Sequence, residues 1–161
     1  VTVSFVGVVA INTLKQFDTI KTNFSDRVSS VYQILIARKF SDQFALQLMP
    51  TVMLEDKISF DRTKQTAFAI GIGARQKISK RLNINAEYYY QLPGTKAPGA
   101  QNVFTLGVDI GTGGHVFQLH VTNSFGLTEK SFISETTGRW DKGDIMFGFN
   151  ISRVFQLKKK Q

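Results

Sequence analysis

Apolar and polar residues alternate one for one along most of this chain. In "LNINAEYYYQL" (82–92), Leu82, Ile84, Ala86, Tyr88, Tyr90 and Leu92 share one parity. Asn83, Asn85, Glu87, Tyr89 and Gln91 share the other. A period of two sends successive side chains to opposite faces of a β-strand. The same alternation runs through 1–14, 28–39, 44–54, 66–77, 102–111, 115–124 and 144–155, which makes eight expected strands. No segment keeps a 3.6-residue period, so no long helix is expected. The connections at 40–43, 79–81 and 112–114 are turn-sized, whereas 15–27, 55–65, 93–101 and 126–143 are long and polar. Short and long connections in alternation are the pattern of an antiparallel up-and-down barrel with turns at one end and loops at the other.

The decisive question is which face meets water. A soluble barrel, lipocalin-like and binding a small apolar ligand, would put its apolar face inside and a charged face outside. Here the polar parity carries Asn, Gln, Thr, Ser, Ala and Gly, and the charges within the strand spans are only Arg75, Glu87 and Asp109. Small uncharged polar residues suit a narrow hydrogen-bonded interior, and Phe, Ile, Leu, Val and Tyr on the other parity suit lipid. The segments also have the length a tilted strand needs to cross a bilayer. The sequence therefore predicts an all-β transmembrane barrel, with eight strands visible and a larger barrel as an open alternative, in contact with outer-membrane lipid. Residues 1–155 would form its strands and loops and 156–161 a basic tail.

The turns predict registers. A three-residue turn at 79–81 sets Ile70 opposite Tyr90, Ile72 opposite Tyr88 and Ala74 opposite Ala86, with the Tyr89 ring over Gly71 on the other face. Centring the turn at 112–114 sets Phe104 opposite Val121, Leu106 opposite Leu119 and Val108 opposite Phe117. Pro50 lacks a ladder donor, so a bulge, or a point where the strand rises out of the sheet, is expected there.

The net charge of +8 is unevenly placed. The short-turn end and the tail hold nine positive residues against Asp42 alone, while the long-loop end holds ten against nine. This reads either as a solvated turn end or as a basic collar facing anionic lipid headgroups or an acidic periplasmic partner. Nucleic acid is not expected, because the basic residues lie at turns without an aromatic stacking platform. The chain has no cysteine, which removes disulfides and thiolate metal sites. It starts in mid-strand with no signal peptide, as a processed or incomplete chain would.

The stretches "ARKFSDQFALQLMPT" (37–51), "GARQKISKRLNINAEYYY" (73–90), "GTGGHVFQLHVTNSFGLTEKSFI" (111–133) and "GDIMFGFNISRVF" (143–155) resemble an outer-membrane β-barrel family of Bacteroidetes whose function is unknown. The resemblance covers the chain from about residue 28 onward. It implies an outer-membrane location and, since family members are longer, a match to their C-terminal half. It transfers no catalytic residue. The strand ending at Phe155 is similar to the aromatic-ended strand read by barrel-assembly machinery, except that "QLKKKQ" follows it.

Arg75, Asn83, Asn85, Glu87, Tyr89, Asp109, Gln118 and His120 share the polar parity and are the expected lumen lining. The 79–81 turn puts Arg75 opposite Asn85 and diagonal to Glu87. The charged residues suit either an internal ion-pair network or a charge-selective pore lining. His120 and Thr122 share a face, but no acidic partner or nucleophile motif accompanies them, so no enzyme activity is expected. His115 and His120 differ in parity and cannot share a metal, and no cofactor is expected. The loop 126–143 holds Phe132 and Trp140 and is the expected site for a surface or periplasmic protein partner, with anchoring at the membrane interface as the other reading of Trp140.

Overall fold

A computed structural model of the chain describes residues 1–13, 23–54, 66–126, 128–153 and 155. The parts of the loops 15–27 and 55–65 beyond these, and the basic tail at 156–161, lie outside the described residues. The eight strands are β1 (Thr2–Ile11), β2 (Val28–Lys39), β3 (Phe44–Leu54), β4 (Thr66–Lys77), β5 (Leu82–Gln91), β6 (Val103–Gly111), β7 (His115–Thr122) and β8 (Met146–Arg153). Each pairs antiparallel with its neighbour in sequence, giving one sheet in the order β1 to β8. A five-residue helix, α1 (Glu129–Ile133), interrupts the last long loop. Among the described residues no helix is long and apolar enough to cross a membrane.

The sheet curls into a half-barrel and does not close. β1 is paired only with β2, and β8 only with β7. Eight strands closing on themselves is therefore not the arrangement. Two edges are left whose backbone groups lack strand partners among the described residues.

The two faces are inside-out relative to a water-soluble protein. Phe5, Ile34, Leu48, Ile72, Tyr90, Leu106, Leu119 and Phe149 are exposed on the convex face. Gln33, Thr51, Gln91, Asp109 and Thr122 are buried on the concave one, beside Met49, Met53, Ala67, Ala69 and Tyr89. An apolar belt of this extent far exceeds what a soluble monomer leaves in water. Aromatic side chains mark both ends of the belt. Phe40 and Phe44 are paired near the short turns, and Phe104 packs with Trp140 near the long loops.

The register between β4 and β5 is the expected one: Ile70 faces Tyr90, Ile72 faces Tyr88 and Ala74 faces Ala86. Tyr89 lies over Gly71 so closely that a Cβ there would collide with the ring. A glycine is needed at this position because the ring takes the space a side chain would fill. Between β6 and β7 the expected register is two residues off. Leu106 faces Val121, Val108 faces Leu119 and Ile110 faces Phe117. The turn runs one residue further than expected. Thr112 N donates to His115 O at 2.9 Å, and Gly113 takes a φ of +72° that favours glycine. A slip of two keeps every side chain on its face, so the polar and apolar assignments are unaffected.

The bulge expected at Pro50 is absent. The β2–β3 register is the same on both sides of it, from Ser30↔Leu54 to Lys39↔Ala45. The ladder skips Ile34 and Leu35 instead, while on its other side Pro50 stays in step with Ile70 of β4. The missing N–H is absorbed as a local gap in one ladder, with no residue inserted.

Candidate functional site: the concave face and its inward loop

Alternation brings the expected lining together. Arg75 on β4, Asn83, Asn85, Glu87 and Tyr89 on β5, Asp109 on β6, and Gln118 and His120 on β7 all have inner-face parity. Asn85, Glu87, Asp109, Gln118, His120 and Asn150 line a cavity of about 240 Å³ on this face. Arg75 does not reach its diagonal neighbour Glu87. Its guanidinium lies 3.8 Å from the Asp109 carboxylate, two strands away. Gln118 Nε2 donates to the other oxygen of Asp109 at 3.1 Å. Arg75 is half exposed, so this pair adds about 1 kcal/mol or less to stability. The His120 ring occupies the space over Gly148 of β8, where no Cβ would fit, as Tyr89 does over Gly71. The His115 ring lies tilted beside Phe117, two residues along on the convex face. Among the described residues no three His, Asp or Glu side chains converge on one point.

Toward the long loops the concave face is filled. The chain after β7 turns back into the half-barrel, and α1 lies near β2. Ile133 is 1% exposed, and its carbonyl accepts from Gln91 Nε2 at 2.5 Å. Phe132 meets Tyr89 edge to face at 5.8 Å, so it points inward where a partner-facing position was expected. Tyr89 is itself fixed by Gln33 Nε2, which donates to its hydroxyl at 3.1 Å and to Thr51 Oγ1 at 3.0 Å.

Polar contacts fasten the same loop. Thr128 Oγ1 accepts from Ser131 N and so caps α1. Lys130 is buried and lies 2.9 Å from the Glu135 carboxylate, which also accepts from Ser131 Oγ at 2.6 Å. A lone buried ammonium would be costly, and the carboxylate offsets that cost. Asn123 ties three strands of chain together. Its Oδ1 accepts from Phe104 N at 2.9 Å, and its Nδ2 donates to Asn102 O at 3.0 Å and to Gly138 O at 2.8 Å.

The indole N–H of Trp140 donates to Phe104 O at 3.1 Å, and its ring packs on Phe104 near the long loops. Nearby, Asp141 is held below the usual carboxylate range, chiefly by its hydrogen bond from Arg139.

The outward apolar face, the inward polar face and the up-and-down order agree with a match over residues 1–155 to the family model described as "Membrane bound beta barrel domain (DUF5777)". The chain belongs to this family of membrane-bound beta barrel domains. The match takes in all eight strands of this chain and the inward loop, and a membrane-bound barrel turns an apolar outer face such as this one toward lipid. Searches of the curated proteins and of the solved structures gave no match.

The structure also groups residues that alternation alone did not single out. Lys39 and Lys77 continue the inner parity of β2 and β4 to the short-turn end, and Lys80 sits in the following turn. With Arg75 and Asn83 they line a second cavity, of about 400 Å³. The signal was legible in the parity of Ala37–Lys39 and Arg75–Lys77. Charged residues at strand ends usually read as a solvated rim, which hides it.

Proposed function

We propose that this chain is half of a larger outer-membrane barrel, the C-terminal half of a longer Bacteroidetes protein, and that the barrel is a passive, charge-selective pore. The observation that carries the reading is the concave face. It is polar, and toward the short turns it is open, with Arg75, Glu87 and Asp109 around the free space. The unpaired edges of β1 and β8 support closure by further strands, since each unsatisfied backbone group in hydrocarbon costs several kcal/mol. A barrel with more than eight strands also leaves room for an aqueous channel. The loop around α1 would narrow that channel from one side. No catalytic step is part of this proposal.

A second reading has its own support. The pairing of buried Lys130 with part-buried Glu135 and the Asn123 bonds hold the inward loop firmly, as a plug would be held. In that case the barrel is a structural platform for a surface or periplasmic protein partner. Single-channel recording of the intact protein in planar bilayers separates the two. A pore gives steady steps whose ion selectivity changes in Arg75→Ala and Glu87→Ala. Stable insertion without conductance overturns the pore and leaves the platform.

A further inference from the structure

Six basic residues at or near the short-turn end form two groups that face opposite ways. Arg38 and Arg153 have outer parity and lie over aromatic rings, Arg38 over Phe40 at 5.1 Å and Arg153 over Phe155 at 4.6 Å. Such pairs suit the headgroup zone, where the ring is half in lipid and the guanidinium is wet. Lys39, Arg75, Lys77 and Lys80 instead line one cavity of about 400 Å³ at the mouth of the concave face. The one carboxylate in its lining is Asp42, which pairs with Lys39 at 2.7 Å. Arg75 is shared with Asp109. Lys77 and Lys80 form no ion pair among the described residues.

We propose that this mouth is an anion-binding vestibule that takes a phosphate group, either from a free phosphorylated solute or from a lipid headgroup. The chemistry follows from the lining. Three inner-face cations and one turn lysine surround a space large enough for a diphosphate, against a single acid already engaged by Lys39. Asn83 adds an amide that can donate to a phosphate oxygen. A concave site of one sign concentrates its field and raises the local level of the opposite ion. Asp42 feels this lining mainly through its direct contact with Lys39. It is held below the ordinary range by the Lys39 hydrogen bond first, then by the Lys39 charge and, more weakly, by Lys77. The site rests on the concave face being the wet side of the barrel, and it sits where an anionic solute would enter the proposed pore.

The test uses the intact protein in uncharged maltoside micelles and inorganic pyrophosphate as probe, titrated calorimetrically at low and high salt. Saturable binding that weakens with salt is expected, with a loss of about tenfold or more in Lys77→Gln/Lys80→Gln. The Arg38→Gln/Arg153→Gln protein should bind like the parent. Both pairs of sites are exposed, and circular dichroism confirms that each protein keeps its strands. No saturable binding, or equal loss in both double variants, overturns the vestibule. Phosphatidylglycerol added to the micelles identifies the source. Displacement of pyrophosphate by the lipid means a headgroup site, and undisturbed binding means a solute site. Conductance without pyrophosphate binding refutes the vestibule but not the pore. Binding without conductance does the reverse.

Discussion

Ile72→Arg is the substitution that most directly tests which face meets lipid. Ile72 lies midway along β4, faces Leu48 and Tyr88 across the ladders, and is 50% exposed on the convex side. On a surface bathed in water an arginine there would change stability by about 0.5 kcal/mol or less. At the midplane of a bilayer it costs about 2–4 kcal/mol. That is roughly a 30- to 700-fold shift toward the unfolded state. Asn150→Arg is the matched control. Asn150 is near the middle of β8 on the concave side, opposite Gln118 and close to Asp109, so an added cation there stays hydrated and finds a carboxylate. The assay is a urea titration of the intact protein in lipid vesicles, followed by strand circular dichroism and by the fluorescence of Trp140, the one tryptophan of the chain. Ile72→Arg should lower the midpoint strongly and Asn150→Arg hardly at all. The reverse order, or an unchanged midpoint for Ile72→Arg, would refute the assignment of the two faces.

Three further outcomes follow from particular contacts. Asn123→Ala strands the Phe104 N–H and two carbonyls, at a cost of about 2–4 kcal/mol, and should expose Lys130 to trypsin, so that cleavage after Lys130 is faster than in the parent; equal rates would mean that Asn123 does not hold the loop. Trp140 emission should be quenched by lipids brominated near the headgroup and not by those brominated at the chain end, and no quenching by either would remove it from the interface. Asp42 should titrate below the ordinary carboxylate range, and Lys39→Gln should move it back up. Because the folded value is lowered, the Lys39–Asp42 contribution is complete above the unfolded carboxylate value and is lost as pH falls through the folded one; a carbon-13 titration in micelles that shows no upward move would sink this account.

Much of the fold was legible before any coordinates. Period-two alternation located all eight strands to within a few residues, because a strand must show opposite parities to opposite environments. The small residues at 67, 69, 71 and 73 already implied an inner face with little space, and Tyr89 over Gly71 fills it as the register required. The candidate lining was legible for the same reason. What a lining residue touches was not. Arg75 had Glu87 as its nearer neighbour by register, yet pairs with Asp109, because the reach of a long side chain across a curled sheet depends on curvature, which alternation does not encode. Phe132 in a polar loop gave no sign of direction. Its inward turn depends on Tyr89 and Gln91 of β5 and on Asn123 after β7, which come from two distant stretches.

The amino-acid pattern by itself determined strand number, strand order and the polarity of each face, since these depend on neighbours along the chain and on short turns. Tertiary structure alone decided that the sheet stays open between β1 and β8, that the last long loop packs inside, and that the basic end divides into an outer pair of arginines on aromatic rings and an inner cluster at the mouth. Those outcomes rest on curvature and on contacts between residues far apart in sequence. Both are set when the whole sheet bends, and no single strand carries them.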